Sequence, residues 1–290
     1  MATTLPSPLV STQWLADHLG ADDLVVVDAS VVSFTQPNGK PGRLSGHEQY
    51  IVDGHIPGAL FADLIDEFSD PDGRFPYTRP DSARFAVAAG ALGIGPETTV
   101  VVYDTGFGQF ASRLWWLFRA FGHDSAAVLD GGLTAWIADD RPTERGHVEP
   151  SPATFVAIER PDAWVDKAFV ERVVRGEEHA SLVCALSAKE IDGRGRPGHI
   201  PGSSAVALTR LVDRQARTTL AEDQLRDALA PALGAPRVVV YCSGGIAAAT
   251  AALQLVRLGE THVAIYDGSL NEWAADPDAP LVTTGSGALV

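Results

Sequence analysis

Cysteine and methionine are scarce in this chain: two Cys and one Met among 290 residues. Two cysteines cannot build a disulfide framework, and they fit a reducing compartment. Cationic side chains are also few, 22 Lys and Arg against 37 Asp and Glu, for a formal net charge of −15. Nucleic-acid or anionic-membrane binding needs clustered Lys and Arg, so neither partner is expected. A small anionic substrate would need a local cationic or N–H-lined site. No uninterrupted apolar run reaches the length of a membrane span, and "MATTLPSPLVSTQWL" lacks a basic segment followed by a long apolar core. The expectation is a soluble, cytoplasmic protein. The eight histidines show no closely spaced helical pair and the cysteines no C-x-x-C, so no metal site is expected.

What the chain does have is repetition. "GHIPGA" at Gly54–Ala59 returns as "GHIPGS" at Gly198–Ser203, 144 residues later. "VVVYDTG" at Val100–Gly106 returns as "VVVYCSG" at Val238–Gly244, 138 residues later. "LDGGLTAW", ending at Trp136, returns as "YDGSLNEW", ending at Trp273, 137 residues later. Three motifs in one order and near-constant register mean two copies of one domain. The polar, Pro-bearing stretch "DDRPTERGHVEPSPATF" reads as the junction. The expected layout is a domain over 1–140, a linker over 141–163 and a second domain over 164–290.

In each half, short apolar runs ("LVVVDAS", "TVVVYDT" and "AAVLDGG", then "SLVCALS", "RVVVYCS" and "HVAIYDG") alternate with helical segments. Strands that are apolar throughout, rather than alternating, predict a mainly parallel sheet with helices on both faces. "FASRLWWLFRAFG" and "AAATAALQLVRLG" predict the helices after the central strands, each stopped by a glycine. The fold class expected is α/β, two domains in tandem.

Cys242 stands where a strand turns into a helix, the place where open α/β sheets put their chemistry. Ser243, Gly244, Gly245, Ile246 and Ala247 are small enough for successive backbone N–H groups to curl around a sulfur. Such a nest at a helix N-terminus attracts negative charge and favours a thiolate. A buried structural cysteine before a Gly-rich turn is the plainer alternative. Phosphatase chemistry on such a loop needs Cys-(x)5-Arg, and six residues beyond Cys242 stands Ala248, which excludes it.

The two GHIPG turns, "YDTGFGQFASRLWWLFRAFGH", "LDGGLTAW", "VVVYCSGG" and "YDGSLNEW" together resemble the tandem-domain rhodanese family, the thiosulfate and 3-mercaptopyruvate sulfurtransferases, over nearly the whole chain. The resemblance implies two rhodanese-like domains of which only the second keeps a catalytic cysteine. The first carries Asp104 at the matching place, which cannot be a sulfur nucleophile. It implies that Cys242 accepts sulfur from a small donor as a persulfide and passes it to a thiol or cyanide, or to a thioredoxin-like protein, without a cofactor. His55 and His199, inside the GHIPG turns, are expected to be structural.

The pattern is broken in places. "CSGGIA" is neutral, as in mercaptopyruvate-type loops, but its serine is displaced to Ser243, and Ala247 replaces a threonine. In the second domain the resemblance calls for an aspartate and two arginines that grip the donor. Cys184, Leu186 and Glu190 stand there instead, and a guanidinium clamp is not replaceable by neutral side chains. Arg194 and Arg196, with Arg79 in the first domain, are the substitute candidates for donor binding, solvated loop arginines being the alternative. Tyr77 stands where a histidine is expected. Two competing functions follow: a rhodanese-fold protein that relays sulfur between proteins with weak activity on small donors, and, if Cys184 meets Cys242, a redox-sensing dithiol.

Overall fold

A computed structural model describes residues 3–37, 39, 41–192 and 196–283. The chain divides into two compact units. The first comprises Met1–Gly73, Arg79–Glu159 and the short stretch Arg214–Thr218; the second comprises Arg74–Thr78, Arg160–Asp213 and Thr219–Val290.

The first unit runs β1 (Leu9–Val10), α1 (Thr12–His18), β2 (Leu24–Asp28), β3 (Val31–Thr35), β4 (Pro41–Ser45), α2 (His47–Val52), β5 (Leu60–Phe61), α3 (Ser82–Ala91), β6 (Thr99–Tyr103), α4 (Gln109–Ala120), β7 (Ala126–Leu129) and α5 (Gly132–Ala138). Its main sheet has the order β1-β7-β6-β2-β5, every pairing parallel. An antiparallel hairpin of β3 and β4, which the sequence patterns did not suggest, stands apart from it.

The second unit runs β8 (Trp164–Val165), α6 (Lys167–Val174), β9 (Ser181–Cys184), α7 (Ala188–Asp192), β10 (Ser203–Ala205), α8 (Glu222–Leu229), β11 (Val238–Tyr241), α9 (Ile246–Arg257), β12 (Val263–Tyr266) and α10 (Ser269–Trp273). Its sheet order, β10-β9-β11-β12-β8, is the first sheet's order with each strand replaced by its repeat partner, again wholly parallel. Both sheets are thus parallel and helix-flanked, as the apolar runs predict.

The central strands β6 and β11 are apolar along their length because both faces are covered: Val100–Tyr103 and Val238–Tyr241 are fully buried. Helices α4 and α9, which follow them, end in the expected glycines, Gly122 and Gly259, each donating back into its last turn. Trp115, Trp116, Leu117 and Phe118 fill the space around α4, whereas α9 buries small side chains, Ala248, Ala249, Ala251 and Ala252. Phe155 closes an aromatic cluster with Phe85 and Phe118 in the first unit.

Both GHIPG histidines are buried and held by backbone. His55 Nδ1 meets the Tyr50 carbonyl at 3.0 Å and its ring stacks on Tyr50, while His199 Nδ1 meets the Ile200 carbonyl at 3.1 Å. Among the described residues no helix is long and apolar enough to cross a membrane, and no cluster of three or more His, Cys, Asp or Glu is placed to hold a metal ion.

Candidate active site

The repeat allows the turn after β6 to be compared with the turn after β11. In the first, Asp104 is fully buried, and its carboxylate accepts four backbone N–H bonds: Gly106 at 2.8 Å and Gly108 at 3.0 Å on Oδ1, Phe110 at 2.9 Å and Ala111 at 3.0 Å on Oδ2. Burial pushes this carboxyl upward, and the four N–H groups pull it the other way. The turn and the first residues of α4 therefore form an anion cradle made of main chain alone.

Cys242 occupies the same place after β11 and is buried. Gly245 precedes α9 at φ 81°, as Gly108 precedes α4 at φ 79°, and both need the left-handed region to turn the strand into the helix. Four residues separate Asp104 from α4, but only Ser243, Gly244 and Gly245 separate Cys242 from α9. The drop in repeat spacing from 138 to 137 between "VVVYCSG" and "YDGSLNEW" marks that shortening in the sequence.

The first residues of α10 hold the cysteine's backbone on both sides. Ser269 Oγ accepts the Cys242 N–H at 3.1 Å and donates to the Tyr266 carbonyl at 2.8 Å. Leu270 N–H donates to the Cys242 carbonyl at 3.1 Å and Asn271 N–H to the Ser243 carbonyl at 2.9 Å. Ser269 is fully buried with φ 50°, a costly conformation for a residue with a Cβ. Its repeat partner Gly132 has φ 55°, and a Cβ there would stand 2.1 Å from the Asp104 carbonyl oxygen. Ser269 was not singled out from the sequence, although the change from "LDGGL" to "YDGSL" is its signal.

Pro76 also belongs to this unit: its carbonyl oxygen lies 3.5 Å from where a Cβ on Gly244 would stand, and Asn271 Nδ2 at 3.0 Å. A Cβ at position 244 would press on the Asn271 amide and touch the Pro76 carbonyl at ordinary contact distance.

Beneath the turn, Cys184 ends β9 in register with Tyr241. Tyr241 Oη donates to Ser203 Oγ at 2.7 Å and accepts the Ile200 N–H at 3.0 Å. Burial first, and then Cys184 beside it, push the Tyr241 hydroxyl well above its ordinary range. The first unit has the same arrangement with a carboxylate: Asp28 is in register with Tyr103, whose hydroxyl accepts the Ile56 N–H at 3.3 Å. Cys184 thus takes the seat that Asp28 holds in the first unit. Neither cysteine is in a disulfide.

Two of the arginine candidates are engaged within their own units. Arg196 donates to three carbonyls of the C-terminal turn, those of Asp276, Pro277 (3.0 Å) and Ala279 (2.6 Å), and so anchors that turn. Arg79 is ion-paired to Glu159 at 2.5 Å within the first unit. Arg194 lies outside the described residues. Leu186 is buried, and Glu190 caps α7, its carboxylate accepting the N–H (2.7 Å) and hydroxyl (2.6 Å) of Ser187.

A tandem of parallel sheets with a lone cysteine at the head of a helix defines a class of group-transfer protein. The family model for the rhodanese-like domain matches residues 11–139 and 185–276, and the chain belongs to the rhodanese family. It is 36% identical to thiosulfate/3-mercaptopyruvate sulfurtransferase 2 of Arabidopsis thaliana, the match covering 96% of this chain and 87% of that one. It is 33% identical to the 3-mercaptopyruvate sulfurtransferase of Escherichia coli strain K12, over 94% and 96% of the two chains. The crystal structure of SseA from Escherichia coli, a 3-mercaptopyruvate sulfotransferase, superposes with a TM-score of 0.79 at 31% identity, over 91% of this chain and 98% of that one. The protein is a sulfurtransferase enzyme.

Proposed function

We propose that the enzyme moves a sulfane sulfur from thiosulfate or 3-mercaptopyruvate to a thiophilic acceptor through a persulfide on Cys242. The observation that carries this reading is the Asp104 cradle: the same turn, one repeat earlier, aims four backbone N–H groups at the two oxygens of one buried carboxyl group. By repeat position the donors around the Cys242 sulfur are the N–H groups of Gly244, Gly245, Ala247 and Ala248. A thiolate gains from that field before the reaction, and an anionic persulfide gains from it afterwards.

The Cys242 thiolate attacks the outer sulfur of the donor, the old bond to that sulfur breaks, and the sulfur stays as Cys242–S–S⁻. A thiol, cyanide or a thioredoxin-like protein thiolate then takes the outer sulfur and returns the enzyme. The neutral loop favours 3-mercaptopyruvate as donor. In the same reading residues 1–140 form the domain without a catalytic cysteine, 164–290 the catalytic domain, and the setting is the reducing cytoplasm.

Intact-mass spectrometry after incubation with each donor tests this. A gain of one sulfur atom in the wild-type protein, absent in Cys242→Ala, is the expected result. No gain with either donor overturns the persulfide reading and leaves a sulfur-relay role that needs a protein donor.

A further inference from the structure

The short stretches that each unit takes from the other half of the chain occupy the same place in the repeat. Arg74–Thr78 falls between β5 and α3, and Arg214–Thr218 between β10 and α8. A spacing of 140 sets Arg74-Phe75-Pro76-Tyr77-Thr78 over Arg214-Gln215-Ala216-Arg217-Thr218, with the first and last residues identical. The backbone agrees. Tyr77 has φ 63° and Arg217 φ 58°, in a region that bulky side chains rarely enter. Strain of this kind collects at functional sites, where the surroundings enforce it.

In the first unit the destination of that side chain is visible. Arg217 Nη1 donates to the Thr105 carbonyl at 2.7 Å and to Thr134 Oγ1 at 3.2 Å, and the guanidinium lies over the Phe107 ring at 5.3 Å. It covers the mouth of the Asp104 turn. In the second unit the repeat partners of Thr105 and Thr134 are Ser243 and Asn271, and the Pro76 carbonyl already stands beside Gly244. The Ser243 carbonyl, partner of the one Arg217 serves, takes its bond from Asn271 N–H instead. The Tyr77 side chain is a phenol of nearly an arginine's reach, half-buried, with its oxygen out of solvent.

We propose that Tyr77 is a catalytic residue of the Cys242 site, the proton carrier for donors whose leaving group is a carbanion. This rests on the persulfide reading above. With 3-mercaptopyruvate, attack by the Cys242 thiolate forms the S–S bond and breaks the bond between sulfur and C3. The electron pair goes to C3, giving the enolate of pyruvate. Tyr77 Oη–H gives its proton to C3, and the phenolate takes back the proton that the donor's thiol carried. The products are Cys242–S–S⁻ and pyruvate, with no outside oxidant or reductant. With thiosulfate the electron pair leaves on sulfite, which requires no proton from the enzyme.

The two donors thus separate the role of Tyr77 from that of Cys242. In single-turnover experiments on the full chain, persulfide formation is followed by intact mass for wild type, Tyr77→Phe and Ser243→Ala. The phenyl ring keeps the packing and the backbone conformation, so thiosulfate serves as the internal gauge of an intact site. The expected result is that Tyr77→Phe lowers the rate with 3-mercaptopyruvate relative to that with thiosulfate by about 10²-fold or more, the usual worth of a general acid. Equal slowing with both donors, no slowing, or the selective loss appearing in Ser243→Ala instead overturns the proposal. So does a wild-type protein that takes sulfur from thiosulfate alone. A wild-type protein that takes sulfur from neither donor overturns the Cys242 reading itself, a result distinct from all of these.

Discussion

Ser269 Oγ accepts the backbone N–H of Cys242 at 3.1 Å, from a residue held at φ 50°. The repeat partner of Ser269 is a glycine, so the second unit bears a left-handed Cβ that the first avoids, and the hydroxyl is what it gains. Two substitutions separate bond from strain. Ser269→Ala keeps the Cβ and its backbone cost and leaves the Cys242 N–H without this acceptor, for an expected loss of about 1–2 kcal/mol. Ser269→Gly also loses the bond but releases about 1 kcal/mol of backbone strain, so it is expected to be the more stable of the two. Both are expected to slow sulfur uptake by Cys242, because the cysteine's backbone is freed on one side. Urea unfolding and single-turnover mass measurements check this; a Ser269→Ala variant more stable than Ser269→Gly would mean that Ser269 only fills space.

The seat below the turn gives a pH dependence. Burial pushes the Asp28 carboxyl up to about 6, against hydrogen bonds from Ser30 and Tyr103 that pull it down. In the unfolded chain an aspartate titrates near 4. Between those values the folded protein still holds a proton that the unfolded chain has released, so this group's contribution falls as pH rises from about 4 to about 6 and is fully lost above that. A gap of about two pH units corresponds to about 3 kcal/mol. Asparagine keeps the oxygen that accepts the Ser30 N–H, 2.8 Å away in the wild type, and has no charge to bury. The unfolding free energy of Asp28→Asn is therefore expected to gain on the wild type as pH is raised from about 4 to about 7. Parallel curves for the two proteins would show that Asp28 does not titrate in this window.

Much of this architecture was legible in the residues. Continuous apolar runs such as Val100–Tyr103 and Val238–Tyr241 mark strands covered on both faces, and the repeated motifs mark their order. The exchange of Arg74–Thr78 and Arg214–Thr218 was not legible, because those stretches carry no periodicity and their place is fixed by what they pack on. Nor was the engagement of Arg196. Its acceptors are main-chain carbonyls about eighty residues away, and a carbonyl leaves no trace in residue identity. Ser269 was visible only as a difference between repeats, meaningful once its hydroxyl is seen on the Cys242 N–H.

Register argues against the dithiol idea. Cys184 pairs with Tyr241, and their side chains share one face of the sheet, where the thiol sits beside the phenol. Cys242 is the next residue after Tyr241, and successive residues at a strand end project to opposite faces. The main chain stays in step there, since Ala185 N–H donates to the Tyr241 carbonyl at 2.8 Å. Strand alternation carried one residue past the end of β11 would turn the Cys242 sulfur away from the face that holds Cys184, and bridging the two would then require rearranging two buried strand ends. Mild oxidation of the native protein is expected to give no internal disulfide, read as no loss of two hydrogens by intact mass under non-reducing conditions. Cys184→Ala is expected to take up sulfur on Cys242 within about threefold of the wild-type rate, since removing one small buried thiol mainly costs packing. An intramolecular disulfide, or a Cys184→Ala protein that folds but gains no sulfur, would put Cys184 back into the chemistry.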